Sequence, residues 1–371
     1  MNIGFDAKRA FFNKSGLGNY SRTTLLLLDE FHHENKYFLY SSKNNNKNFT
    51  FENTNFTLKS KTLSFLPSFL WRSFGISYIL KKDKIDIFHG LSNELPLNIK
   101  KSNVKTIVTI HDLIFLKYPK LYKSFDRWMY NFKCKKSAKN ADIIIAVSEQ
   151  TKQDIIDFYN IDEKKIKVIF QTCNDFFKQK YSEIEKNKVI NKFNLPSNFI
   201  LNVGTIEERK NLLNIIKAVE LQNIDIKIVA IGKKTEYFEK IEKYLISKNL
   251  KSNLIVLENV SNYELAIIYQ LAKMLVYPSK YEGFGIPIIE ALFSEIPVIT
   301  TKGYCFSEAG GNAALYVNPE NIEELGLTIK KLLTDNQLQQ TCISNGIIHR
   351  KFFDKKLISE KLNNIYLSLK Q

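Results

Sequence analysis

Short apolar runs rich in β-branched residues alternate along this chain with longer segments whose apolar positions recur every three or four residues. That alternation predicts helices packed on both faces of parallel sheets. In the first half the runs NIGFDA, KYFLYS, FTLKS, IDIFHG, KTIVTI, ADIIIAV and IKVIF read as strands. In the second half FILNVG, IKIVAIG, LIVLENV, KMLVYP and IPVITT repeat the theme, with helices over 211–220 and 263–272 between them. The expected class is α/β, with two doubly wound domains. A polar stretch over 176–198 carries no strand pattern and reads as the linker between a first domain (1–175) and a second (199–352). The closing segment, 353–371, has apolar residues at helical spacing and reads as a docked helix. The Asn-rich SSKNNNKNFTFENTNF is turn chemistry and reads as an exposed loop between strands.

Composition agrees with this division. A chain of 371 residues that is 44% hydrophobic can bury two cores, at roughly 150 residues per domain. The four cysteines are scattered without CxxC pairing or His/Cys spacing, so neither a zinc site nor a disulfide framework is indicated. No basic start with an apolar core opens the sequence, and no apolar run approaches the roughly 20 residues that cross a bilayer. The reading is a soluble, cytoplasmic protein. Charge adds an asymmetry: residues 1–180 hold 30 Lys and Arg against 17 Asp and Glu, whereas 181–371 hold 24 against 21. A basic half attracts anionic lipid, nucleic acid or phosphorylated acceptors through its long-range field.

Candidate chemistry sits where the alternation puts it, because ligands of open α/β sheets collect beyond the carboxyl ends of the strands. In SGLGNYSR, Gly16 and Gly18 open a helix and expose backbone N–H groups suited to a phosphate. His89 follows IDIF, and His111 follows KTIVTI; such a histidine reads either as a structural residue or, for His111 at its strand's carboxyl end, as a residue lining the cleft. In the second half FILNV runs into Gly204 and then TIEERKN, which brings Arg209 and Lys210 to the start of a helix. Two cations at that positive end are unfavourable unless something anionic compensates. A diphosphate would do so; the competing reading is local neutralisation by Glu207 and Glu208. The stretch YEGFGIPIIEAL then places Glu282 in a loop and Glu290 about one turn into a helix, with Pro287 in the first turn. Two carboxylates on different elements, flanking Gly283, Phe284 and Gly285, suit the vicinal hydroxyls of a polyol. No D-x-D, G-x-S-x-G or full Walker sequence occurs, so a metal-independent site is expected.

These residues resemble the retaining glycosyltransferases of the GT-B fold, family 4. PSKYEGFGIPIIEAL is similar to that family's E-x7-E signature, GTIEERKN to its phosphate-binding G-x4-R-K-N element, VTIHDLIFLKYP to its H-D segment, SGLGNYSR to its N-terminal glycine loop, and EAGGNAALYVNP to the stretch that follows. The resemblance implies two Rossmann-like domains facing across a cleft, a last helix (353–371) that packs back on the first domain, and a nucleotide-diphosphate sugar as donor with no further cofactor and no metal. It implies that Glu290 binds the donor ribose and Glu282 the transferred sugar. It places the amides around Gly283, Phe284 and Gly285 on sugar and phosphates, Arg209 and Lys210 on the diphosphate, His111 on the reacting sugar, and Gly16 between donor and acceptor. Where the family often has Gly-Val-Asp, this chain reads IFQTCNDFF, and the contacts of that region stay unassigned.

By the same resemblance the reaction is transfer of a hexose, of mannose or glucose type, to a glycan or polyprenyl-linked acceptor in bacterial surface polysaccharide synthesis. Retention needs no protein nucleophile if the leaving phosphate takes the acceptor's proton on the same face; Glu282 as a covalent nucleophile is the alternative. A sugar-nucleotide epimerase or hydrolase on the same fold is a rival, and a nucleic-acid binder using the basic half is a second one that no recognised motif supports. SFLPSFLWRSFGISYILKK and KYPKLYKSFDRWMYNFKCKKSAK interleave aromatics with Lys and Arg. That composition suits an anionic membrane surface on the cytoplasmic side, against ordinary amphipathic packing of domain helices.

Overall fold

The computed structural model describes residues 1–13, 16–42, 55–60 and 67–370. Twelve of the thirteen strands among them are the twelve runs read from the sequence. The chain divides into two compact units, Met1–Thr172 together with the residues from Asp354 onward, and Cys173–Phe353. Most of the Asn-rich loop, residues 43–54, lies outside the described residues.

The first unit is built on β1 (Asn2–Asp6), β2 (Lys36–Ser41), β3 (Phe56–Ser60), β4 (Ile87–Gly90), β5 (Lys105–Ile110), β6 (Ile143–Ala146) and β7 (Ile166–Val168), all parallel, in the order β3-β2-β1-β4-β5-β6-β7. Successive residues of a strand point to opposite faces, and the core follows that rule. Ile87, Ile107 and Ile145 join one apolar cluster, while their neighbours Phe88, Val108 and Ile144 join another on the opposite face. A sheet buried on both faces needs continuous apolar strands, which is why these runs were legible. Helix α1 (Gly16–Phe31) covers the first face with Leu25, Leu27 and Leu28. Helix α2 (Ser124–Asn140) lies on the other with Cys134 and Ala138.

The C-terminal helix, Lys355–Lys370, completes this unit. Ile358, Leu362 and Tyr366 enter the cluster that holds Ile3, Phe5 and Leu28. Ser359 donates to the Leu27 carbonyl at 3.2 Å, and Lys355 pairs with Glu30 at 2.7 Å. The fully buried Tyr366 hydroxyl meets His89 Nδ1 at 2.8 Å.

The second unit holds β8 (Phe199–Val203), β9 (Lys227–Ile231), β10 (Leu254–Leu257), β11 (Leu275–Tyr277), β12 (Val298–Thr301) and β13 (Ala314–Val317), again parallel, in the order β10-β9-β8-β11-β12-β13. The edge strand β13 is absent from the sequence reading; its four apolar residues, ALYV, are too short a run to stand out between the turn-forming GGNA and NP. The stretch 176–198 is not a linker. It contains helix α3 (Glu183–Phe193), opened by a capping box in which Ser182 and Glu185 satisfy each other's backbone N–H groups, and closed by Asn194 in the left-handed region. This helix is tied to α5 (Asn262–Leu271), Tyr263 donating to Glu185 at 3.0 Å, while α4 (Leu212–Leu221) and α6 (Ile286–Phe293) follow the functional loops.

Because Tyr366 fills the core and holds His89, Tyr366→Ala should destabilise the first unit by about 3–5 kcal/mol, the usual loss for a buried aromatic. Hydrogen exchange should quicken across β1, β4 and β5 and stay unchanged across β8–β13, whereas uniform acceleration in both sheets would contradict this packing.

Candidate active site

The carboxyl ends of β8 and β11 are adjacent strands' ends, and the loops that leave them are fastened together. Lys280 N–H donates to the Arg209 carbonyl at 2.9 Å. Asn211, nearly buried in the left-handed region, donates from Nδ2 to the Pro319 carbonyl at 2.6 Å. Arg209 and Lys210 therefore lie in a short turn ahead of α4 rather than in its first turn, as Asn211 separates them from it. Gly204 leaves β8 at φ +132°, and a Cβ there would stand 3.2 Å from Lys210 Cε. Glycine thus gives both the backbone angle and the passage for that side chain.

Glu282 is the focus of these loops. Its Oε1 accepts from Lys210 Nζ at 2.5 Å, Arg209 Nη1 at 2.7 Å, Ser279 Oγ at 2.7 Å and the Tyr277 hydroxyl at 2.8 Å. Burial pushes the carboxyl up, but Lys210 and Arg209 outweigh it and hold Glu282 at about 2, so it stays ionised. Arg209 also pairs with Glu207 at 2.5 Å and donates to the Tyr281 carbonyl. The local neutralisation weighed from the sequence thus exists in part: Glu207 takes one cation, but the carboxylate common to both is Glu282.

Gly283, Phe284 and Gly285 run from Glu282 into α6. The Phe284 side chain turns inward, 3% exposed with its ring edge-on to Phe353. Gly285 precedes the helix at φ +107°, and Pro287 occupies its first turn. Glu290, one turn on, accepts from the Tyr269 hydroxyl at 2.9 Å. With no cation beside it, burial raises Glu290 to about 7, opposed only by that hydrogen bond. Two carboxylates eight positions apart are thus pushed in opposite directions by their surroundings.

In the first unit, His111 follows β5 and is 6% exposed. Its backbone N–H donates to Asn93 Oδ1 at 2.9 Å, its ring Nε2 lies 2.9 Å from the Leu91 carbonyl, and the Tyr20 ring of α1 stands edge-on at 4.5 Å. A carbonyl can only accept, so Nε2 carries the proton and Nδ1 the lone pair. Burial lowers His111 to about 4 despite the Leu91 bond, so the ring is neutral near pH 7. Gly16 is the first residue of α1, the helix that delivers Tyr20 to His111. His89, by contrast, is a structural residue: fully buried, held between Tyr366 and Thr109 at 2.8 Å each, and kept neutral by burial.

The hydroxyls of Tyr269, Tyr277 and Ser279 were missed from the sequence. Tyr277 ends a recognised strand and Ser279 precedes Glu282 by three, but neither spacing distinguishes a donor to a carboxylate from ordinary loop chemistry. Among the described residues no group of three His, Cys, Asp or Glu side chains is placed to hold a metal ion.

Comparison with known proteins agrees with this arrangement. Residues 16–171 match the model of Glycosyltransferase Family 4, and residues 183–349 that of Glycosyl transferases group 1. The O-antigen chain mannosyltransferase RfbU of Salmonella typhimurium is 33% identical over 227 residues, which is 61% of this chain and 60% of that one. O-antigen chain mannosyltransferase B of Escherichia coli is 25% identical over 78% of this chain and 76% of its own. Among solved structures, sucrose-phosphate synthase from Thermosynechococcus elongatus superposes with a TM-score of 0.76 at 18% identity, covering 100% of this chain and 99% of that one. The fold is GT-B, and with one family model on each unit the chain belongs to glycosyltransferase family 4, the glycosyl transferases of group 1.

Proposed function

We propose that the protein is a retaining, metal-independent hexosyltransferase. It moves a mannose-type sugar from a nucleoside-diphosphate donor to a glycan or polyprenyl-linked acceptor in bacterial surface polysaccharide synthesis, at the cytoplasmic side of the membrane. The observation that carries this reading is the carboxylate of Glu282 buried between Arg209 and Lys210. Arg209 and Lys210 are charge-matched by Glu282 and Glu207 within the protein, and two such cations gathered at a strand end suit a diphosphate that takes over part of that pairing. The sugar assignment leans on relatives named as mannosyltransferases.

The roles follow from chemistry. Arg209 and Lys210 hold the diphosphate and stabilise the charge that grows on it as the glycosidic bond breaks. Glu282 Oε2 accepts from hydroxyls of the transferred sugar, and the amides from Gly283 to Gly285 meet sugar and phosphate. Glu290, once ionised, accepts both ribose hydroxyls. Neutral His111 accepts a sugar hydroxyl at Nδ1. The acceptor's proton leaves on the departing phosphate, so no side chain needs to act as base.

Lys210→Ala should weaken a nucleoside diphosphate by about ten- to hundredfold, the range of a charge-assisted hydrogen bond, and leave the free nucleoside unchanged in calorimetric titration. Equal losses for both ligands would remove Lys210 from the phosphates. Turnover of a sugar nucleotide should survive a chelator and give product of unchanged anomeric configuration by NMR. Donor consumed as fast without acceptor as with it would replace the transferase reading by a hydrolase or epimerase.

Glu290 yields a prediction with two opposite signs. An acid raised on folding holds a proton that the unfolded chain has already released, so the unliganded protein loses stability as pH climbs from the ordinary carboxylate range through about 7. Glu290→Gln should therefore raise the melting temperature at about pH 8. Wild-type nucleotide affinity should tighten about tenfold from roughly pH 6 to pH 8 as the carboxylate ionises, and the variant should be weaker and flat. A variant that binds nucleotide like wild type across that range would disprove the ribose role.

A further inference from the structure

Helix α2 (Ser124–Asn140) is amphipathic in the wrong sense for a domain helix. Its buried positions are small, Cys134, Ser137 and Ala138, whereas its largest side chains face out: Phe125 is 67% exposed, Trp128 60% and Phe132 45%. Positions 125, 128 and 132 share one helical face, and the three rings form a ladder, with centroids 6.1 Å apart from Phe125 to Trp128 and 5.9 Å from Trp128 to Phe132. Since such side chains carry ~150–250 Å² each, the ladder leaves on the order of 350 Å² of apolar surface in water. Ordinary amphipathic packing, the competing reading of this segment, would have turned these rings inward.

The same stripe continues into cations. Lys135 and Lys139 lie on the face of Phe132, and Lys136 Nζ stands 5.7 Å from the Phe132 ring. Over 117–140 the sequence places eight Lys and Arg against a single acidic residue, Asp126. A neighbouring element repeats the pattern. The π-helical turn Trp71–Gly75 carries Arg72, which shares Glu94 with Lys133 of α2, at 3.5 and 3.7 Å. Beside it Phe69, Phe74 and Tyr78 are 65%, 43% and 65% exposed.

We infer that α2 is a membrane-docking element whose Phe125–Trp128–Phe132 ladder enters the head-group boundary of an anionic bilayer while Lys135, Lys136 and Lys139 meet lipid phosphates. Rings that want an apolar environment and lysines that want anions, side by side on one helix, match that boundary. A second copy of this chain fits less well, because stacking two such stripes in parallel would set one row of lysines against another. This surface is independent of the donor site, so a failure here leaves the proposed transfer reaction standing, and the reverse.

The test uses the full-length protein, without turnover. Trp71 is fully buried and Trp128 exposed, and they are the two tryptophans of the chain, so a blue shift on adding vesicles reports Trp128. With phosphatidylglycerol–phosphatidylcholine vesicles the protein should float and its emission should shift at about 0.01 M salt, where charges act over about 30 Å, and much less at about 1 M, where they act over about 3 Å. Pure phosphatidylcholine should hold it weakly. Replacing Lys135, Lys136 and Lys139 by Gln should weaken partitioning roughly a hundredfold. Replacing Phe125, Trp128 and Phe132 by Ser should abolish flotation while leaving the melting temperature and nucleotide binding at wild-type values. No flotation of wild type on anionic vesicles at low salt would overturn the inference, as would flotation unaffected by both triple variants. A wild-type dimer in light scattering that the Ser variant dissociates would instead assign the stripe to self-association.

Discussion

The second unit depends on one ionised carboxylate that cannot leave. Taking Glu282 out of water is unfavourable by several kcal/mol unless cations and hydrogen-bond donors replace the solvent, and the protein supplies two of each on a single oxygen. Those donors come from two loops and from the strand end at Tyr277. Satisfying the carboxylate therefore sets the path of both loops, and the left-handed Asn211 and the tie from Lys280 to Arg209 follow from it. The protein's own groups already organise the site electrostatically, so binding an anion exchanges partners instead of building a pocket.

The contrast with Glu290 shows how one motif yields two behaviours. Both carboxylates are desolvated, but only Glu282 has cations beside it. One is therefore fixed in charge throughout the neutral range, and the other is poised within it. In the first unit, burial works in the same direction on His111 and His89, keeping both imidazoles uncharged. Only the surroundings separate them: His89 spends both ring nitrogens on Tyr366 and Thr109, whereas His111 keeps one nitrogen available.

Much of this was legible because parallel strands buried on both faces leave unbroken apolar runs, and because Gly285, Pro287 and the two glutamates mark a strand–loop–helix junction. The failures have equally physical origins. Strand β13 is only four residues at a sheet edge and is flanked by turn-forming residues. The polarity of helix α3 reads as a linker, although Ser182 and Glu185 spell a capping box that local spacing alone reveals. The outward face of α2 could be read as composition but not as orientation, since interleaved aromatics and lysines fit a buried helix as readily until packing shows that Cys134 and Ala138 hold the inner side. The tyrosine and serine hydroxyls around Glu282 carried no signal, because hydrogen-bond partners distant in sequence have no spacing to read.

The C-terminal helix sets the order in which the molecule can be made. Its Ile358, Leu362 and Tyr366 belong to the core of a unit whose other residues end at Thr172. On a ribosome, the first sheet and α1 emerge long before the helix that seals them, and the whole second unit is synthesised in between. The entropy of closing so long a loop rises only slowly with its length, by about 0.6 kcal/mol per doubling, so the finished fold is barely penalised. The nascent chain bears the burden instead: Leu25, Leu28 and their neighbours wait with an uncovered apolar flank until Lys355–Lys370 has followed the second unit off the ribosome, so the unit that starts first is finished after the one that starts second.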